Sequence, residues 1–380
     1  MSFSIPYIIL IFTLCILSFL YDNMHEYSYK NRISGIAIML FVFFFGFRGF
    51  ILSDWIIYYP YFYDCEVSNI INITNKTGSW IEPGYTILNL ICKLIYPDYQ
   101  FFVLICCILQ LALLLHFFKN RITNIPMALM IYIVFEGLVI STNLMRNSFA
   151  IFIFMNAIPY LLARKPLQYF SLCLLALTFH ASAIIYFPLY FIFHKTCNRW
   201  LYLIIFIISN LVFLLHISVV TYLLSLVGID ESLTMKVRAY TEIYDQRSML
   251  SIGYIERLMT GILVFLYYHE LKSIRKENGI FINAVITYLT IYFSFSEFAI
   301  LSKRIATLFV FGYWIIWIDL IRCFFYENNK KLFVAFIYLY CILRIGSSTR
   351  LPDFKYDNFF LGMQSYQERL YYHNKTYEGI

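Results

Sequence analysis

Apolar residues in this chain gather into long runs instead of alternating with polar ones. Ten stretches approach the roughly 20 apolar residues that a membrane-crossing helix needs: 3–21, 33–50, 100–118, 126–142, 147–163, 200–217, 254–271, 280–300, 304–321 and 332–345. An eleventh, 167–194, is 28 residues long and is interrupted by Thr178-Phe-His180-Ala-Ser182, with Pro188 further on. As one straight helix it would reach about 42 Å at 1.5 Å per residue, against a hydrocarbon core of about 30 Å. It therefore predicts two half-length helices meeting near His180, a broken or re-entrant pair. A shorter stretch, 84–96, is broken by Asn89 and Lys93 and predicts a helix lying at the interface. The pattern as a whole predicts an all-α polytopic membrane protein, a bundle of about 10–12 transmembrane helices. It reads as a single integral membrane domain over 1–380, with outer loops at 48–99 and 228–253 and an outer tail at 346–380.

Composition agrees with that pattern. Of 380 residues, 61% are hydrophobic, 21% aromatic and only 13% charged, and the mean hydropathy is +0.71. Soluble domains run roughly 45–50% apolar and about 25% charged, so a soluble enzyme and a disordered chain are both excluded. No basic n-region and no small-residue cleavage site accompany Phe3–Tyr21, which is read as a retained span. The formal charge of +7 suits an anionic membrane or a phosphorylated ligand, and no basic block resembles a nucleic-acid arm. The nine Cys residues form no CxxC and no zinc spacing, so buried thiols are expected.

The charges also orient the chain. Placing 22–32, 119–125, 164–166, 194–199, 272–279 and 322–331 on one side puts 14 Lys and Arg into 45 residues. The other side holds the remaining 15 in 130 residues. The positive-inside rule makes the first side cytoplasmic. Both flanks of 167–194 are then cytoplasmic, and the tail lies outside.

Ionisable groups at membrane depth are costly and therefore point to function. Arg48, Arg146, Arg257 and Arg304 all fall at the outer ends of expected spans, with His180 at the outward tip of the broken pair. Arg presents a planar fork of permanent donors that fits phosphate oxygens in bidentate fashion. A pyrophosphate on a lipid carrier would match such a cluster; the plain alternative is that each Arg snorkels or caps a helix. Within 48–62, Arg48 is followed six residues on by Asp54, then by Tyr58 and Tyr59. Asp54 is a candidate to activate an acceptor hydroxyl, Tyr58 and Tyr59 to stack on sugar faces, and Glu82 adds a carboxylate on the same side. No Gly-x-Ser-x-Gly turn surrounds His180 and Ser182. Asp64-Cys-Glu66 is only a weak metal pair, so no metal or cofactor is expected. Sequons stand at Asn72, Asn75 and Asn374, a motif short enough to recur by chance.

These pieces together resemble the EpsG-type branch of the bacterial Wzy polysaccharide polymerases. Carrying the resemblance are Arg48 through Tyr59, Glu82-Pro-Gly-Tyr85, Met145-Arg146-Asn-Ser-Phe-Ala150, Arg164-Lys165, Phe179-His180-Ala-Ser-Ala183, Ser302-Lys-Arg304 and Tyr356-Asp-Asn-Phe-Phe360, in the family's order. The family often has Arg-Gln where this chain has Arg146-Asn147, which leaves the charge in place but not the amide's role. The resemblance implies a GT-C-like fold and growth of an O-antigen or exopolysaccharide at the periplasmic face of the bacterial inner membrane. There an undecaprenyl-pyrophosphate-linked glycan would pass onto another lipid-linked repeat unit. The implied roles are pyrophosphate binding by Arg146 and Arg304, then Arg48 and Arg257, with Asp54 or His180 as base. The implied partners are undecaprenyl-pyrophosphate-linked oligosaccharides, membrane lipids and a chain-length regulator protein. The rival readings are a flippase for the same lipid-linked glycans and an acyltransferase that modifies them, with His180 as base.

Overall fold

Helices make up most of the computed structural model, which describes residues 2–71, 80–196, 198–219, 221–222 and 251–377. The expected outer loop 228–253 lies almost wholly outside the described residues, as do the sequons at Asn72 and Asn75. No strand occurs among the described residues; isolated bridges join Arg48 to Asn358 and Asn358 to Gly362. The protein is an all-α polytopic membrane protein. Six described helices are each long and apolar enough to cross a bilayer, and five further apolar helices are shorter.

By contact the chain falls into two units, the first formed by Met1–Tyr190 with Val334–Ile380 and the second by Phe191–Phe333. The first unit contains α1 (Ile5–Asn23), α2 (Tyr27–Gly46), α3 (Trp55–Asp64), α4 (Pro83–Ile95) and α5 (Tyr99–Phe118). It continues with α6 (Ile125–Tyr132), α7 (Leu138–Thr142), α8 (Met145–Leu162), α9 (Pro166–Phe179) and most of α10 (Tyr186–Ile192), whose last two residues fall in the second unit. The second unit contains α11 (Arg199–Leu214), α12 (Ile252–Leu266), α13 (Tyr268–Ile274), α14 (Asn278–Ser294), α15 (Ala299–Thr307) and α16 (Phe311–Cys323). The chain then passes through α17 (Glu327–Ser348) to α18 (Tyr366–Tyr377) in the first unit's tail.

Local chemistry explains where these helices begin. Pro stands in the first turn of α4, α6 and α9, where its missing N–H costs nothing. Asp98, Asn124, Asn198 and Ser251 each accept a backbone N–H at the start of α5, α6, α11 and α12. Their outer faces are as apolar as their inner ones. On α1, Ile9, Phe12, Ile16 and Phe19 repeat at helical spacing and are exposed, whereas Leu10, Leu14 and Leu17 are buried. Water would penalise such a face; hydrocarbon does not.

Several expected spans end or break where uniform hydropathy hides it. The second span stops at Gly46, so Arg48 stands beyond the helix. The expected span 304–321 is two helices: a run of tight bonds from Leu308 to Gly312 separates α15 from α16. The expected span 254–271 is interrupted at Tyr267. The span 126–142 contains an irregular turn at Ile133–Gly137, where Glu136 adopts φ 68°. A Cβ on Gly137 would overlap the Tyr132 carbonyl, so only glycine admits that close approach.

In the second unit Asp319, fully buried on α16, accepts from Arg275 Nη2 at 2.6 Å and from Asn278 Nδ2 at 2.9 Å. Removing one partner of a buried pair strands the other charge. Asp319→Ala should therefore destabilise the protein by about 3–5 kcal/mol, read as a large fall in detergent-solubilised thermal unfolding, whereas Lys330→Ala, which breaks the exposed pair with Glu327, should leave it unchanged.

Candidate functional site

The turn between α7 and α8 organises the polar cluster of the first unit. Asn143 in this turn accepts the backbone N–H groups of Ser53 at 3.2 Å and Asp54 at 2.8 Å through Oδ1. Arg146 follows in the first turn of α8. A cation there opposes the helix dipole, so a carboxylate partner is needed to hold it. Glu82 supplies it: Arg146 Nη1 donates to Glu82 Oε2 at 2.6 Å and also to the Trp80 carbonyl at 2.8 Å. Arg146 Nε makes a long 3.5 Å contact with the Tyr58 hydroxyl, which donates to Asp54 Oδ2 at 3.3 Å. Burial pushes the Tyr58 phenol well above its usual range, which keeps its proton in place.

The other oxygen of Glu82 reaches a different element. Oε1 accepts the backbone N–H of Ala181 at 3.0 Å, the first residue after the break at His180. Glu82 can reach outward because Pro83 opens α4 and asks for no cap. Gly84 makes the approach possible: a Cβ there would stand 2.8 Å from the Thr178 carbonyl oxygen. At the break itself, Ser182 donates its backbone N–H to His180 Nδ1 at 3.1 Å. That bond assigns the lone pair to Nδ1 and, in the neutral ring, the proton to Nε2. The Ser182 hydroxyl lies 2.7 Å from Nδ1 and 3.1 Å from Asn147 Oδ1.

Hydrogen bonds thus link Asp54, Tyr58, Arg146 and Glu82, and Glu82 reaches the backbone beside His180, whose ring bonds Ser182. Arg48 is placed otherwise. It is 3% exposed, and its Nη2 donates to the Ser141 and Thr142 carbonyls at 3.2 and 3.3 Å. These are carbonyls of the last turn of α7, so Arg48 caps that helix against its dipole. Tyr59 lies in a stack with Tyr366 of α18, ring centroids 4.2 Å apart. Arg257 and Arg304 belong to the second unit. Arg257 is buried, donates to the Tyr288 hydroxyl at 2.7 Å and lies 3.9 Å over the Tyr292 ring. Arg304 is exposed on α15. Among the described residues no three His, Cys, Asp or Glu side chains gather to hold a metal.

The tail fastens the Arg48 segment in place. Gly49 N–H donates to the Asp357 carbonyl at 2.8 Å, Phe359 N–H to Phe47 at 2.8 Å and Leu52 N–H to Asp353 at 2.9 Å. Tyr356 stacks on Phe44 with centroids 4.2 Å apart. So the two ends of the motif set, Arg48–Tyr59 and Tyr356–Phe360, meet directly. The EpsG family profile matches residues 31–360, which takes in both ends and every residue of the cluster.

The chain belongs to the EpsG family. No curated protein and no solved structure matches it. Membership makes it a membrane protein of polysaccharide-polymerase type. Sequence reasoning overlooked Asn143, which positions Asp54, and Trp80, whose side chain is 57% exposed beside the Arg146 contact. A Trp two residues before Glu82 was the available signal for the second; the first had none. In this EpsG-family chain the cluster rests on the contact at Gly84. Gly84→Ala should cost about 1–3 kcal/mol of stability, as overpacking does, in a thermal unfolding assay. Gly35→Ala, where a Cβ meets nothing within 4 Å, should cost far less.

Proposed function

We propose that this protein is a polysaccharide polymerase of the bacterial inner membrane. On this reading it transfers an undecaprenyl-pyrophosphate-linked glycan onto another lipid-linked repeat unit at the periplasmic face, in O-antigen or exopolysaccharide chain growth. The observation that carries the reading is Arg146, held by Glu82 at the start of α8 within a family of polymerase type. Helix N-termini offer unpaired N–H groups to anions, and a guanidinium beside them adds charge and paired geometry. Arg146 keeps 18% of its side chain exposed, and among the described residues Nη2 makes no hydrogen bond, so that arm is open to a phosphate oxygen.

In the reaction, an acceptor hydroxyl oxygen forms a bond to the donor's anomeric carbon while the bond from that carbon to the pyrophosphate oxygen breaks. The hydroxyl proton passes to the Asp54 carboxylate, and the leaving pyrophosphate takes the electron pair. General base catalysis typically contributes about 10²–10⁴-fold, and preorganised charge at the leaving group usually contributes more. Arg146 supplies that charge. His180, with its proton on Nε2, serves as a donor to the leaving group, which leaves the base role to Asp54. Glu82 then acts as a positioning residue, because both of its oxygens are already bonded. Trp80, with its exposed indole, is the group suited to stack on a sugar face, because Tyr58 is buried and Tyr59 is stacked on Tyr366. Arg48 is not assigned to the pyrophosphate, because its Nη1 and Nη2 donate to protein carbonyls.

The test separates charge from shape. Lys keeps the charge of Arg146 but loses the fork. Arg146→Lys should be severely impaired and Arg146→Ala inactive, both at normal membrane level, with cells accumulating single-repeat glycan on the lipid carrier. A flippase would instead leave few repeat units outside. A near-normal polymer ladder from Arg146→Ala overturns the leaving-group role.

A further inference from the structure

The second unit carries a groove that the polymerase reading does not use. Its volume is about 320 Å³, and it is lined by Ile192, Phe193, Tyr202, Ile205, Ile286 and Ile291, with Lys195, Asn283, Thr287 and Thr290 as the polar members. Along α14 it runs from Asn283 to Ile291, eight residues or about 12 Å of helix. One leaflet of a hydrocarbon core is about 15 Å deep, half of about 30 Å. The groove is therefore nearly as long as one leaflet is deep, and its walls are mostly apolar.

Its two ends differ in charge. At the Asn283 end, Asn283 Nδ2 donates to the Phe193 and Lys195 carbonyls at 2.8 and 2.9 Å and so fixes the 193–195 segment across the mouth. Lys195 lines that mouth, is exposed, and among the described residues no carboxylate pairs with its ammonium. Lys272 stands beside it, donating to Thr196 Oγ1 at 3.1 Å. Arg199 lies four residues beyond Lys195 in the same segment, where it packs over Trp200. Glu270 and Glu277 are the carboxylates of the neighbouring 270–277 segment, and neither forms an ion pair with Lys195. At the Ile291 end the lining carries no charge.

We infer that this groove holds one acyl chain of an anionic phospholipid, with the headgroup phosphate at Lys195. The cationic mouth is on the side to which the Lys and Arg count assigns the cytoplasm, where a leaflet of anionic lipid would supply the occupant. The chain threads between α11 and α14 toward the midplane. This site is independent of the Arg146 cluster and does not need the polymerase reading to hold.

The test is native mass spectrometry of the full-length protein, delipidated in detergent and then exchanged with phosphatidylglycerol or phosphatidylcholine vesicles. Wild type should retain one phosphatidylglycerol in preference to phosphatidylcholine. Lys195→Ala should lower that retention about fivefold, the worth of one cation at an anionic surface. Thr290→Trp should remove the bound lipid by filling the groove, and the exposed Lys195 variant keeps the test valid if Thr290→Trp fails to fold. Equal retention of the two lipids by wild type, or unchanged retention in Lys195→Ala, overturns the inference. Stoichiometric displacement of phosphatidylglycerol by a polyprenyl phosphate also overturns it, by making the occupant the carrier lipid.

Discussion

The Glu82 carboxylate is the constraint on which the polar cluster depends. One oxygen takes Arg146 and the other takes the Ala181 N–H, so a single side chain ties the start of α4 to the start of α8 and to the break after α9. Each tie answers a local need. Arg146 sits where the dipole of α8 repels it, and Ala181 has just left one helix and has an N–H that nothing in α9 can satisfy. Because Glu82 is 5% exposed, an uncompensated charge on any of these groups would be costly. The arrangement therefore rotates Arg146 into one orientation before any ligand arrives. Preorganised charge of this kind stabilises a leaving group without reorganising during the reaction.

Much of the architecture was legible in the apolar runs, because length and hydropathy are what a bilayer selects. The chain break near His180 could be read from Thr178, His180 and Ser182 inside an over-long stretch, and the helix there does end at Phe179. The breaks at Tyr267 and at Leu308 could not, since Leu, Phe and Val on either side carry the same hydropathy whether or not the helix continues. Arginine was legible as a type and not as a partner. Arg48 and Arg146 look alike in sequence, yet one caps α7 through carbonyls and the other is held by a carboxylate with an arm to spare. Only the turn geometry around Asn143 and Gly137 separates them. Gly84 stood within the Glu82-Pro-Gly-Tyr85 motif, but its role could not be read there, because that role is the absence of an atom against Thr178.

The tail gives the cluster its second support. Backbone pairing of Phe47–Leu52 with Asp353–Phe359, together with the Tyr59–Tyr366 stack, holds a segment that is neither helix nor strand at the point where Arg48 and Asp54 are presented. Such a segment has no ladder of its own, so its donors must be met from elsewhere. The family profile ends at residue 360, just past this pairing, while the Tyr366 helix stacks on from beyond it. The pairing thus lies within the matched residues, and the stack reaches Tyr366 just beyond them.

The central claim is that Glu82 acts through Arg146 and not on substrate by itself. A double-mutant cycle on polymer formation in isolated membranes, with Glu82→Gln, Arg146→Lys and the pair combined, tests that claim most directly. If the two residues form one unit, the double variant should be no slower than the slower single variant. Losses that simply multiply would mean that Glu82 and Arg146 contribute separately, and would contradict the account.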